Sequence, residues 1–394
     1  MGIWDDELEG AEEADHGDPM GGRRELFRLP EGVAYLDGNS LGPLTHAAHR
    51  AVAACVDREW GTHLIASWER TWLALPDLAG ARIARLVGAA EGSVTCADST
   101  TVNLYKCLRA AVDLRPGRGR LVAQAGNFPT DGYICRQVAH ECGLTLDVVP
   151  AEAMAAHLDE DVAVVTCSHV DYRSAAIADL PGITAAADDV GALTVWDLAH
   201  SAGALPCELD AAGVDFAVGC GYKYLNGGPG APSFVYVGPH LGQVRQPLPG
   251  WFGHAEPFAF ADHHVPAPGA AGFRVGTTAV LSMTALHAAL TAFDGVEMGA
   301  LRARGMELTA LMVRLADAHL LPRGFGLASP RDPALRGGHV TLTHPRAGAM
   351  VAALAEAGVV GDFRPPDQLR FGMAPLYTTR AEVVRCVREL AHLA

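Results

Sequence analysis

From about residue 85 to residue 240, short apolar runs alternate with segments of helical period. The runs Leu121–Gln124, Leu146–Val149, Val162–Cys167, Leu193–Trp196, Phe216–Gly219 and Phe234–Val237 read as strands. Amphipathic stretches such as Asp131–Glu141 and Ala176–Asp188 lie between several of them. Strand–helix alternation of this kind predicts an α/β fold with a mainly parallel sheet sandwiched by helices. Ligands in such sheets sit beyond the carboxyl ends of the strands. Residues placed just after each run are therefore the ones to search for chemistry.

The chain has 394 residues, more than one ordinary core accommodates. A Pro/Gly-rich passage from Val265 to Gly276 reads as a linker, followed by a long helical pattern from Leu281 to Leu321 and a short α/β segment from His339 onward. The expected organisation is an N-terminal leader and arm over 1–45, a large ligand-binding domain over 46–260, and a linker with a small C-terminal α/β domain over 261–394. The acidic stretch Met1 to Asp18 lacks a basic start and an apolar run, and reads as a frayed leader.

A net charge of −15 disfavours nucleic acid and anionic membranes as partners. No uncharged apolar stretch is long enough to predict a transmembrane helix. The nine cysteines are unpatterned, with no CxxC pair, which reads as reduced core thiols in a cytoplasmic protein and no metal site. One count matters more. Lysine occurs only at Lys106 and Lys223. A mechanism needing a nucleophilic amine has just these two side chains to choose from, because arginine stays protonated.

Lys223 lies in Gly221-Tyr222-Lys223-Tyr224-Leu225-Asn226-Gly227-Gly228, after an apolar run and before a glycine-rich turn. Burial disfavours an ammonium and so favours the nucleophilic amine. Asp197 ends the run Val195-Trp196-Asp197, with His200 three residues on, and precedes Lys223 by 26 residues, room for one helix and one strand. A carboxylate there can pair with a pyridinium nitrogen. Upstream, Asp98-Ser99-Thr100-Thr101 precedes a helical pattern, and a helix N-terminus is an anion site. Asn127-Phe128-Pro129-Thr130-Asp131 follows another run, offering Phe128 to stack on a flat ring and Asp131 as a second carboxylate. Each element alone also reads as an ordinary cap, turn or structural histidine. Their order points to a Schiff-base lysine for pyridoxal 5′-phosphate (PLP) at Lys223, in the PLP-dependent fold type I architecture. Lys106 is expected on a helix face, outside the cofactor's reach.

Longer strings carry a narrower resemblance. Tyr35-Leu36-Asp37-Gly38-Asn39-Ser40-Leu41-Gly42, Glu59-Trp60-Gly61, Asn127–Asp131, Trp196–Gly203, Gly250-Trp251-Phe252-Gly253-His254, Leu369-Arg370-Phe371-Gly372 and Pro375-Leu376-Tyr377 resemble the bacterial kynureninases along nearly the whole chain. The resemblance implies PLP-dependent hydrolysis of L-kynurenine to anthranilate and L-alanine, in tryptophan catabolism or a related biosynthetic pathway. It implies cofactor contacts from Thr100, Thr101, Phe128, Asp131, Ser174, Asp197, His200, Tyr222 and Lys223. It implies a homodimer with shared active sites, in which Trp251 and Thr277 reach the partner's phosphate. Lys223, Tyr222 and Asp197 are the implied catalytic set, and Ser40, Trp68, Gly276, Thr277 and Arg370 the substrate set, with Arg370 on the carboxylate. After Gly276-Thr277 the chain runs Thr278-Ala279-Val280, where the family commonly has a proline, so ring-substituted kynurenines stay open as substrates. The same fold serves selenocysteine lyases, cysteine desulfurases and aminotransferases. A desulfurase needs a mobile reactive cysteine, and the only cysteine after Cys220 is Cys386, in an apparent terminal helix. A non-catalytic scaffold would be expected to lack Lys223 or Asp197.

Overall fold

The computed structural model describes residues 3–394. Seven strands form one sheet, in the spatial order Val94–Cys96, Ser233–Val237, Phe216–Cys220, Leu193–Asp197, Val162–Ser168, Arg120–Gln124 and Thr145–Val149. Neighbours from Phe216–Cys220 to Thr145–Val149 run parallel; Ser233–Val237 is antiparallel to both of its neighbours. The six strands read from sequence are all present. The seventh, Val94–Cys96, is three residues long and too short to show a period.

The central strands are buried on both faces, which is why they read as continuous apolar runs. Helices Thr100–Asp113 and Pro129–Cys142 pack on one side of the sheet, as the apolar cluster around Leu104, Cys107, Leu121 and Val218 records. Helix Leu180–Asp189 starts later than the pattern predicts, because Ala176 and Ile177 bridge to Arg336 and Val170 instead.

A second, four-stranded sheet has the order Asp362–Arg364, Gln368–Gly372, His339–Thr343, Gly326–Leu327, all antiparallel. It packs with helices Met298–His319 and Arg380–Leu393 around Met312, Val340, Leu369 and Val387. The expected long helix from 281 to 321 is broken: Val280–Ala289 ends before Gly295, and Met298–His319 begins a new one.

Two expectations are corrected. The stretch expected to be a frayed leader is a helix over Ile3–His16, with Met1 and Gly2 outside the described residues. Ala11 is buried in the second core, Glu7 pairs with Arg314, and Asp15 and Asp18 pair with Arg380. Its acidity misled because the cations that match it lie some 300 positions along the chain. The Val265–Gly276 passage is not a free linker either. Ala270 and Phe273 are fully buried against the large sheet. Gly272 is needed there for close approach, since a Cβ would stand 2.6 Å from the Ala267 carbonyl oxygen.

The tightest anchor of the N-terminal segment is Asp18, buried at 3% side-chain exposure against Arg304 at 7%. Asp18 accepts from Arg304 Nε at 2.5 Å and from Arg380 Nη1 at 2.9 Å. Removing one member leaves charge buried without its partner. Asp18→Ala is expected to destabilise the fold by about 3 kcal/mol, read as a lowered thermal or urea unfolding midpoint. An unchanged midpoint would mean that the helix is not anchored this way.

Candidate active site

The carboxyl ends of the strands deliver Asn127–Asp131, Ser168, Asp197 and the Lys223 turn to one edge of the large sheet, as parallel strands in register require. Asp197 ends its strand and pairs in register with Ser168 and Val218. Both Asp197 and Asp131 are buried, at 8% and 6% exposure. Burial and the charge of Asp197 raise the Asp131 pKa well above the usual carboxylate range. Burial raises that of Asp197 too, opposed by the charge of Lys223 and by the Ala199 N–H, which donates to Oδ1 at 2.7 Å. Two facing buried carboxylates cannot both ionise. The proton stays on Asp131, and Asp197, with the lysine's charge in its favour, carries the negative charge.

Asp131 is fixed by Asn127, whose Nδ2 donates to Oδ2 at 3.0 Å. The Asn127 Oδ1 in turn accepts from Ser168 Oγ at 2.7 Å and from the Phe128 N–H at 2.7 Å. Ser168 went unnoticed in the sequence. Its only signal was its position at the end of a predicted strand, one residue past the span assigned. Phe128 is 44% exposed, its ring edge-on to Tyr172 at 5.3 Å, leaving an aromatic surface over the site.

Lys223 is half-buried, with Nζ 3.0 Å from His200 Nε2. Burial, reinforced by the lysine's charge, pushes His200 well below the usual histidine range. A neutral ring accepts at Nε2, so its proton is assigned to Nδ1, which has no hydrogen-bond partner among the described residues. Burial likewise raises the pKa of the Tyr222 phenol, keeping it protonated. The Lys223 turn is built by close approach. Gly227 donates to the Gly221 carbonyl at 2.8 Å, and Asn226 adopts φ 60. Gly42 of the N-terminal arm donates to the Tyr222 carbonyl at 2.8 Å, and a Cβ on Gly42 would stand 2.5 Å from the Lys223 carbonyl oxygen. The arm therefore presses directly on the lysine's backbone, which explains the glycine in that string.

Arg370 is 1% exposed. Its Nε donates to Asp362 Oδ1 at 2.7 Å, Nη2 bonds Asp362 Oδ2, and Nη1 bonds the Tyr172 carbonyl. Ser40 Oγ donates to Asp362 Oδ2 at 2.8 Å and lies 3.3 Å from Arg370 Nη2. Asp362, which the sequence reading did not single out, thus fixes the Nε–Nη2 side of the guanidinium. Burial and the charge of Asp362 raise the nearby Asp37 carboxyl to about 7. His339, also missed, pairs in register with Gly372 while Arg370 pairs with Thr341, so His339 and Arg370 share a sheet face. His339 is fully buried, neutral by burial, and 5.4 Å ring to ring from His200.

Other expected residues are placed elsewhere. Ser174 Oγ donates to Asp171 Oδ1 at 2.7 Å, inside the turn that follows Val170. Trp68 stacks edge-on against Trp72 at 5.4 Å. Trp251 and the Gly276–Thr277 strip lie side by side, because the Phe252 N–H donates to the Val275 carbonyl at 3.2 Å. Among the described residues, no hydrogen bond or ring contact joins Trp251, Gly276 or Thr277 to the Lys223 cluster. Thr100 is half-buried and Thr101 exposed at the start of their helix, whose N-cap is Ser99. Lys106 lies in helix Thr100–Asp113, on its buried face. Cys386 is fully buried in helix Arg380–Leu393, where it cannot serve as a mobile sulfur carrier.

The donor set suits PLP. An amine, a buried carboxylate, an aromatic face and a helix N-terminus match the aldehyde, pyridine nitrogen, ring and phosphate of that cofactor, and His200 Nδ1 is an orphaned polar atom beside them. Comparison with known proteins agrees. Residues 79–343 match the family model for aminotransferase class-V, and residues 301–390 match that for the kynureninase C-terminal domain. A kynureninase of Deinococcus radiodurans is 46% identical over 382 residues, 95% of this chain and 93% of that protein. One from Pseudomonas fluorescens is 42% identical over 385 residues, 95% and 92% respectively. Among solved structures, C-DES with glycine covalently linked to its PLP cofactor superposes with a TM-score of 0.79 at 20% identity, covering 93% of this chain and 98% of that one. The cysteine desulfurase of Thermococcus onnurineus does so at 0.79 and 16%, covering 94% and 97%. At those identities the likeness is one of fold. The curated relatives and the kynureninase C-terminal model point to something narrower, and the chain belongs to the PLP-dependent kynureninase family.

Proposed function

We propose that this protein hydrolyses the Cβ–Cγ bond of L-kynurenine, using one water to release anthranilate and L-alanine, as a cytoplasmic homodimer. The observation that carries the reading is the Lys223–His200 pair set beside the single-proton pair Asp131–Asp197, with Arg370 and Ser40 on the arm and small sheet that close over it. When bound, PLP supplies an electron sink that lets the α-hydrogen of an amino acid leave as a proton.

Lys223 would hold the cofactor through its amine and, once released by the substrate's own amine, take the proton from the α-carbon. His200 accepts a hydrogen bond from Nζ at 3.0 Å and keeps that amine aimed. Asp197 would sit against the pyridine nitrogen and keep it protonated, with Asp131 holding the adjacent proton. Phe128 would stack on the ring, and Thr100, Thr101 and the helix N-terminus behind Ser99 would take the phosphate. Ser174 stays a cofactor-side residue only if the turn at Asp171 opens toward the ring. Tyr222, kept protonated by burial, would move a proton at the ketone oxygen as water adds. Arg370 would hold the substrate carboxylate, oriented by Asp362.

The ring is proposed to lie between Trp68 and the Gly276–Thr277 strip, with unsubstituted kynurenine as the preferred substrate. That strip, like Trp251, would come from the partner subunit. Support comes from an apolar surface carrying Leu44, Trp60, Leu64, Ile65 and Leu281, each at least 40% exposed. It borders two cavities of about 990 and 490 Å³ that share Leu281, the larger opening onto Gly227–Pro229 beside the lysine turn.

Three results are expected. Lys223→Ala abolishes turnover of L-kynurenine and the absorbance band that the cofactor gains on joining the lysine amine, whereas normal turnover would refute the assignment. Asp362→Asn raises KM for kynurenine about tenfold with a smaller change in kcat, and Arg370→Lys raises it further, since a lost charge-assisted bond costs about 1.5–3 kcal/mol; a pure kcat effect would contradict the carboxylate role. Lys223→Ala and Trp251→Ala chains, each inactive alone, regain activity when coexpressed, because one mixed site then has both intact residues. No recovery would mean that the sites are not shared.

A further inference from the structure

Among the buried ionisable side chains that the mechanism leaves unused is the chain's second lysine. Lys106 is fully buried, with 0% exposure. It lies in helix Thr100–Asp113, and helical side chains lean back toward the N-terminus. Its Nζ accordingly returns to the turn ahead of the helix, 2.7 Å from Asp98 Oδ2, and donates to the Phe273 carbonyl at 2.6 Å. Withdrawing an ammonium from water is costly, and an apolar side chain of similar length would pack there without that cost. The pair therefore calls for a role beyond stability.

Its position supplies one. Asp98 has φ 48, a left-handed conformation, and reverses the chain between strand Val94–Cys96 and the N-cap Ser99. The Ala97 N–H donates to the Ser233 carbonyl at 2.9 Å and the Ser233 N–H donates to the Asp98 carbonyl at 3.0 Å, which pins the backbone of that turn to the neighbouring strand. The Asp98 carboxylate also stands next to the helix N-terminus proposed to take a phosphate dianion. Left unpaired it would repel that dianion. On its other side, Lys106 holds the Phe273 carbonyl, and the next residue, Arg274, donates to Thr95 Oγ1 at 2.9 Å and pairs with Asp77. The strip that ends in Thr277 is thus rooted on the same ammonium.

We propose that Lys106 is a positioning residue for the cofactor's phosphate. Its ammonium fixes the Asp98 turn, cancels the Asp98 charge, and sets the Ser99–Thr101 helix N-terminus to receive the dianion, while anchoring the strip that carries Thr277. This rests on the phosphate assignment above.

The test compares PLP with pyridoxal, which lacks the phosphate, by absorbance titration of the cofactor-free protein. Lys106→Met should weaken PLP binding by about tenfold or more and change pyridoxal binding less than about twofold, so that the preference for PLP falls. Adding Asp98→Asn to Lys106→Met should restore part of that preference, because the unpaired carboxylate is gone. If Lys106→Met does not fold, Lys106→Gln is read in its place. Equal weakening of both ligands, or no weakening, would make Lys106 merely structural and overturn the proposal. Thr100→Val/Thr101→Val separates the two failures. If it loses the preference for PLP while the Lys106 variant keeps it, only the Lys106 role fails. If it keeps the preference, the phosphate assignment fails and takes the Lys106 role with it.

Discussion

Two carboxylates facing each other out of water share one proton, and the active site is organised around that constraint. Asp131 carries the proton, Asp197 the charge, and Lys223 the compensating cation. Without Lys223, a buried negative charge would lose its main electrostatic support. Without the Asn127–Ser168 brace, Asp131 would be free to turn away from its partner. The sheet exists, for the purposes of chemistry, to hold three strand ends in register so that these groups meet.

A second set of groups is brought to this edge by tertiary contact rather than by strand order. The N-terminal arm crosses to the lysine turn at Gly42, contributes Ser40 to the Asp362–Arg370 pair, and runs parallel to Val359–Val360 through Ala34 and Tyr35. Arm, small sheet and lysine turn are therefore one mechanical unit. His200 and His339, both neutral by burial, line the space between them. The cations in this region are one amine, Lys223, and two guanidinia, Arg370 and Arg364, that share the Asp362 carboxylate.

Much of this was legible in the sequence. Lys223, Asp197, Asp131 and Phe128 follow apolar runs, and strand ends in a parallel sheet fall at one edge whatever the details of packing. The family strings named Arg370 and Ser40, which the structure brings together. What was not legible depends on pairing across distance. Asp362 matters only because an antiparallel register sets it opposite Arg370, and His339 only because the same register turns it to that face. The N-terminal helix was misread because its partners, Arg304, Arg314 and Arg380, are remote in sequence. The Val265–Gly276 passage was misread because Gly272 serves close packing and Ala270 and Phe273 are buried against the large sheet.

Hydrolysis at the Cβ–Cγ bond makes a commitment about where the oxygen of water goes. The most direct test is turnover of L-kynurenine by the PLP-loaded protein in water enriched in oxygen-18, with mass analysis of both products. The account predicts anthranilate and L-alanine in equal amounts, with one labelled oxygen in the anthranilate carboxylate and none introduced into alanine by the reaction. Formation of a keto acid by transamination, or anthranilate without the label, would contradict it.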